Sequence, residues 1–457
     1  MAPSAPPSGE GAATDPMELL RSRAYVKLLV LAALIGVPVS ALAYGFLELV
    51  GELQSILFDD LPGWLGFSSP PMWWPVPLLA VAGLLTALAI RGLPGQGGHS
   101  PVDGFAAGGA LPPAQLPGVV LAALATLSFG VVLGPEAPLI LIGSGLGVLA
   151  VRLASRDAPD RATSVVAAAG SFAAISSLLG SPLLAAFLLL EAAGLGGPVL
   201  GIVLVPGLLA AGVGTLIFLG LDEITGLGTF SLAIPDLPPF DRPTLALLGW
   251  AVAFGAAAPA LGWAIQESAR AIRAQVAPRM VLLMPVLGIG IGALAVGFSE
   301  ATGHSASTVL FSGQDQLGPV ITGAAGWSVG ALLLLIACKS AAYALSLSSF
   351  RGGPVFPAIF LGAAGGLAAA ELPGMDVVPA VAMGMGAMSA VMLRLPLTSV
   401  MLATLLLGAD GLAAIPLVIV SVVVAYVVTA HLTPRPRSDE PTVETRTSAD
   451  RPTVPAA

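Results

Sequence analysis

The chain has 457 residues, of which 56% are hydrophobic and only 10% charged, with a formal net charge of −8. Soluble domains carry about 25% charged residues, so this composition, with a mean hydropathy of +0.94, describes a protein held in a lipid bilayer over most of its length. The single cysteine, Cys338, excludes an intrachain disulfide framework, and nothing in the chain is basic enough to hold nucleic acid.

Residues 1–22 begin with a stretch rich in Pro, Ala, Ser and Gly and are expected to be a disordered cytoplasmic segment. The first apolar run starts late and is too long for the core of a cleavable signal. A helix needs about 20 residues to span, at 1.5 Å rise per residue. Runs of that kind recur at Val26–Val50, Trp74–Ile90, Leu116–Val151, Val165–Leu219, Leu245–Ile265, Val281–Val296, Trp327–Leu345, Val355–Ala370 and Ile415–Ala430. Residues 433–457 are polar and Pro-rich, and read as a disordered cytoplasmic tail. The chain is therefore expected to be an all-α polytopic membrane protein with one membrane domain over residues 23–432.

Arg21, Arg23 and Lys27 precede the first run, while Arg435 and Arg437 follow the last. The excess of basic residues on the cytoplasmic side places both ends there. Arg152/Arg156/Arg161 and Arg270/Arg273/Arg279 mark further cytoplasmic turns. Trp64, Trp73 and Trp74 are expected at a membrane interface.

Two stretches of the chain coincide without a gap. "GPEAPLILIGSGLG" (Gly134–Gly147) and "GPVFPAIFLGAAGG" (Gly353–Gly366) pair Gly134/Gly353, Pro135/Pro354, Pro138/Pro357, Gly143/Gly362 and Gly147/Gly366, an offset of 353 − 134 = 219. A second pair, Ala168–Glu191 and Ala382–Leu405, aligns Gly170 with Gly384 and Pro182 with Pro396 at an offset of 396 − 182 = 214. Gly/Ala/Leu/Pro sequences align easily, but two matches in one order at nearly one offset point to an internal repeat, about 27–220 and 240–432. Related halves carrying Gly/Pro-interrupted apolar segments at corresponding places are the sequence signature of transporter-type inverted repeats, whose binding site lies where the broken helices meet.

A proline near a helix start costs no intrahelical hydrogen bond, and a preceding glycine permits a sharp turn. Gly-Pro-x-x-Pro therefore starts a helix within the membrane, where non-helical backbone is tolerated only if buried in protein or lining a wet cavity. The amides at Glu136, Ala137, Val355 and Phe356 would then point from helix N-termini at that site, where the partial positive charge favours an anion. Glu136 is itself an anion at this place. An intramembrane carboxylate costs roughly 2.5–3.5 kcal/mol on insertion scales and is a functional candidate by default, against the plainer alternative of a buried N-capping group. It can occupy the place of a permeating anion and leave it when protonated.

With these motifs the chain resembles the CLC family of chloride channels and proton/anion antiporters, from about Arg23 to Leu432. The family's Gly-x-Glu-Gly-Pro motif stands here as Gly134-Pro135-Glu136-Ala137-Pro138, and its Gly-x-Phe-x-Pro motif as Gly353-Pro354-Val355-Phe356-Pro357, preceded by "KSAAYALSLSSFRGG" with its lysine, Lys339. "SSLLGSPLLAAFLLLE" and "AVMLRLPLTSVMLATL" resemble the family's Pro-Leu helices. The resemblance implies the CLC-type fold of two inverted-topology repeats with broken helices meeting at a mid-membrane anion site. It further implies transport of chloride or similar small anions through a path gated by Glu136, with protons as a second partner. The expected setting is the lipid bilayer of the cell membrane, in a homodimer with one pore in each subunit, with no cofactor and no metal.

Several positions depart from the family pattern. The family's first motif, Gly-Ser-Gly-x-Pro, has "GGHSP" (Gly97–Pro101) as its candidate here, which puts Gly98 in the serine slot and leaves His99 or Ser100 as substitutes. Pro354 removes an amide, so that the anion is expected to keep those of Val355 and Phe356. Antiporters of the family usually carry a second, inner glutamate; here Glu191 is followed by Ala192, and Glu191 is left as the candidate for an inner proton path. The family's coordinating tyrosine, beyond the last long helix, has no counterpart in "HLTPRPRSDE", and Tyr426 is read as a packing residue. Uncoupled conduction is thereby favoured over tight exchange. Two other classes stay open at this point: an inverted-repeat carrier for another anion, which would need room and side-chain donors, and a polytopic membrane enzyme using Glu136 as a base, which would need a second titratable partner.

Overall fold

The computed structural model describes residues 21–106, 109–155, 157–194, 198–226, 234 and 237–433; both expected disordered segments, apart from Arg21, Ser22 and Thr433, lie outside them. The principal helices are α1 (Arg23–Ser55), α2 (Pro75–Gly92), α3 (Leu116–Leu127), α4 (Glu136–Ala154), α5 (Asp160–Leu179), α6 (Pro182–Ala192), α7 (Pro198–Thr225) and α8 (Leu245–Val276). They continue with α9 (Met280–Thr302), α10 (Gln314–Thr322), α11 (Val329–Ser349), α12 (Val355–Ala370), α13 (Val377–Leu393), α14 (Pro396–Leu406) and α15 (Gly408–Leu432). Among the described residues, eight helical segments are long and apolar enough to cross a membrane, and five apolar helices are shorter. Two of the continuous runs read from the sequence are divided. Leu116–Val151 breaks between α3 and α4, where Gly134-Pro135 interrupts the backbone ladder, and Val165–Leu219 breaks between α5 and α6 at Gly180-Ser181-Pro182 and again after α6 ends at Ala192.

The two halves pack alike. α4 lies on α5 as α12 lies on α13, and α5 contacts α6 and α7 as α13 contacts α14 and α15. The small residues of the repeat are the reason. A Cβ on Gly143 would strike the carbonyl of Gly170, and one on Gly362 would strike that of Gly384; Gly147 meets Val166 and Ala167 as Gly366 meets Ala380 and Val381. Without glycine at these crossings the backbones cannot approach, and close approach is how helices associate in lipid, where no hydrophobic drive between them exists. Both helix starts share one conformation, with φ/ψ of −81°/−2° at Pro135 and −90°/−2° at Pro354.

The ends of α5 and α13 also correspond. Each stops on a residue in the left-handed region, Gly180 (φ 61°) and Arg394 (φ 59°), 214 residues apart. Glycine takes this conformation freely, whereas a residue with a Cβ is strained there by about 1–2 kcal/mol.

Of the expected interface tryptophans, Trp64 and Trp73 are exposed, at 70% and 52%. Trp74 is buried, because its indole N–H donates to the Leu57 carbonyl at 2.9 Å.

Candidate functional site

The starts of α4 and α12 are joined directly. The Gly134 N–H donates to the Gly353 carbonyl at 2.8 Å and the Gly353 N–H to the Gly134 carbonyl at 2.6 Å, an antiparallel bridge between the two repeats. The Gly134 and Gly353 amides are spent on each other, and Pro135 and Pro354 have none. Both glycines are required by space as well: a Cβ on either would overlap the Glu136 carboxylate.

Glu136 opens α4 and is 1% exposed. Its Oε1 accepts from the Phe356 N–H at 3.0 Å, at the first turn of α12. Its Oε2 is buried and has no hydrogen-bond partner. The carboxylate of one repeat thus sits on the N-terminus of the other repeat's broken helix, with Val355 and Phe356 buried around it and Ala137 partly buried beside it.

The first motif lies in tight turns. Gly98 has φ 89°, and a Cβ there would press on the Leu141 side chain, so glycine suits this place and no side chain is offered from it. The His99 side chain is exposed. Ser100 Oγ is buried and unpartnered, one of five such atoms among the described residues, another being Glu136 Oε2. Arg351 ties this segment to the second repeat. Its Nε donates to the Gln96 carbonyl at 3.1 Å, and its Nη1 to the carbonyls of Ser349 and Phe350, each at 3.2 Å.

Two further side chains fix the approach to α12. The Tyr343 hydroxyl, wholly buried in α11, donates to the Pro354 carbonyl at 2.8 Å. This residue escaped the sequence argument, although a lone tyrosine in a Ser/Ala-rich membrane helix, eleven positions before Pro354, is a signal: a buried phenol must find an acceptor. Lys339 Nζ donates to the carbonyls of Thr308, Val309, Leu310 and Phe311 at 3.0–3.4 Å and lies 4.4 Å from the Phe360 ring centroid. A buried ammonium would otherwise be costly; here it fixes the turn before α10. Tyr426, read as packing, lies on α15 and is 41% exposed.

Glu191 stands apart from this cluster. Its carboxylate accepts from the Leu397 N–H (2.9 Å), the Thr398 N–H (2.8 Å) and the Thr398 hydroxyl (2.7 Å). It caps α14, the repeat counterpart of the helix α6 that carries it.

A cavity approaches each motif proline. One of about 80 Å³ reaches Pro135 between Gln54, Ser312, Gln314 and Asp315. The other, about 280 Å³, reaches Pro354 and is lined by Pro101–Phe105, Gln266, Arg270 and Met392–Leu395. They share no lining residue, and the bridge with Glu136 lies between the two prolines.

Residues 96–430 match the family described as voltage gated chloride channel. The chain belongs to this family. It is similar to the YfeO proteins of Escherichia coli and of Shigella boydii serotype 4, which are named for ion transport, at 31% and 32% identity over 361 residues, 76% of this chain and 80% of each relative. Among solved structures it is similar to a slow cyanobacterial Cl−/H+ antiporter, with a TM-score of 0.72, 19% identity and coverage of 90% of this chain and 95% of that one. A CLC-type fluoride/proton antiporter gives 0.63 at 19% identity, covering 91% and 97%. At these identities the structures establish the fold, the CLC fold of helices arranged in two repeats. The chain is thus a multi-span membrane protein of a CLC-type anion transporter family.

Proposed function

We propose that this protein moves chloride or similar small anions across the cell membrane along a path gated by Glu136. The observation that carries the proposal is the seat of the Glu136 carboxylate on the Phe356 amide. A negative group of the protein occupies a helix N-terminus that a free anion would occupy once the side chain leaves. Amides suit transport, because they bind an anion without the full charge that would hold it too tightly to release. Ser100 supplies the hydroxyl that the first motif lacks at Gly98, since its Oγ is buried with nothing to bond. Val355, Phe356, Glu136 and Ala137 supply the amides.

The assembly is a homodimer with one path in each subunit and both termini on the cytoplasmic face, which sets the cavity at Pro354 on the cytoplasmic side and that at Pro135 outside. Exchange with protons is weak or absent. Ala192 cannot carry a proton, and Glu191, the remaining candidate, is held by three hydrogen bonds at the start of α14. Carriage of a larger organic anion fits less well, because the Gly134–Gly353 bridge closes directly on the carboxylate. The protein, purified and placed in chloride-loaded liposomes, is expected to release chloride when a potassium ionophore removes the voltage barrier. Efflux no faster than from empty liposomes across a broad pH range would end the proposal.

A further inference from the structure

The repeat singles out Arg394. At the end of α5 the left-handed position is filled by Gly180, the residue that conformation favours, and at the matching end of α13 it is filled by an arginine. A strained non-glycine residue is retained where its side chain has a use. The fold does not need this one for the turn itself, since the other half of the molecule makes the same turn without it.

The side chain's surroundings show what that use is. Arg394 lines the 280 Å³ cavity that ends at Pro354, the residue before the amides of Val355 and Phe356. The other charged residues of the wall are Asp103 and Arg270. Asp103 accepts from Arg273 at 2.6 Å, and Arg270 is paired with Glu267. Those are the ion pairs among the described residues, so Arg394 is the charge on this wall without a carboxylate partner; its Nη2 donates only to the Thr433 hydroxyl at 3.2 Å. The cavity has room for several molecules of water, each about 30 Å³ in the liquid, and hence for a small hydrated anion. Behind it the guanidinium of Arg351, bonded to carbonyls alone, adds positive potential toward the same motif.

We propose that Arg394 forms a docking station for small inorganic anions in this cavity, from which the anion passes to the amides at the start of α12. The proposal rests on the anion-transport reading above. An exposed arginine holds a hydrated anion loosely, as a site of access must: favourable enough to gather ions and weak enough to let them go.

Arg394→Gly tests this without threatening the fold, because it gives α13 the ending that α5 already has. Chloride efflux from liposomes is measured over a range of chloride concentrations for the parent, Arg394→Gly and Arg394→Lys, with the thermal unfolding midpoint of each in detergent. Losing the charge should raise the chloride concentration for half-maximal flux by about tenfold while leaving the saturated rate within about twofold, the low end of what a focusing charge does to local ion concentration. Arg394→Lys should stay near the parent, and Arg394→Gly should unfold at the parent's temperature or higher. An unchanged concentration dependence in Arg394→Gly overturns the docking station. So does a lowered saturated rate in both variants accompanied by a lower unfolding midpoint, which marks a structural role. In both cases the parent conducts; a parent with no flux instead refutes anion transport itself.

Discussion

Replacing Glu136 with glutamine isolates the charge from the shape of the side chain. The carboxylate is 1% exposed, and its one hydrogen bond comes from the Phe356 amide at 3.0 Å. A bond to a charged acceptor contributes about 1.5–3 kcal/mol and a neutral one about 0.5–1.5, so neutralisation weakens the bond to Phe356 by about 1–1.5 kcal/mol. The buried Oε2 position has no partner, so the new amide N–H₂ gains nothing there. A proton on the parent carboxylate has the same effect as the mutation, which fixes the sign. Parent flux rises as pH falls, and Glu136→Gln flux is high and flat. Chloride efflux from liposomes between acidic and neutral pH compares the two. A mutant as pH-sensitive as its parent would place the gate elsewhere and remove Glu136 from the path.

Three other outcomes follow from the same geometry. A chloride gradient should fail to drive protons uphill at a fixed ratio in the parent, read with a pH dye in weakly buffered liposomes; a constant ratio would show a proton route that bypasses Ala192. Glu191→Ala removes the acceptor of three hydrogen bonds at the start of α14, a capping loss of about 0.5–2 kcal/mol, so the unfolding midpoint should drop while the pH response of flux stays that of the parent. Gly362→Ala drives a Cβ into the Gly384 carbonyl and should destabilise by about 1–3 kcal/mol, whereas Gly365→Ala, with open space at its Cβ, should be nearly neutral; equal midpoints would mean that the crossing of α12 and α13 is looser than described.

The fold was legible because its physical demands repeat. Lipid supplies no hydrophobic drive between helices, so the chain must place small residues wherever backbones cross. Gly143 against Gly170 and Gly362 against Gly384 meet that demand at one relative place in each half, which is why two stretches 219 residues apart align without a gap. Helix breaks were harder to place, since apolarity runs on through them. Within Leu116–Val151, Gly134-Pro135 marks where α4 begins, but the end of α3 at Leu127 carries no such mark, because apolar residues run on past it.

The site was legible in its residues but not in its bonding, and the reason is distance along the chain. Gly-Pro-x-x-Pro announces free amides at a helix start, yet whether an amide remains free depends on a partner some 220 positions away. Gly134 and Gly353 satisfy each other, and Phe356 is taken by Glu136. The consequence reaches the mechanism. The bridge fixes the two helix starts edge to edge by backbone bonds alone, without using any side chain, so the gating proposed for Glu136 asks nothing of the frame that holds the site. A gate needs that separation between the part that moves and the part that stays. Both glycines owe their place to it, because any side chain at 134 or 353 would fill the space in which the carboxylate sits.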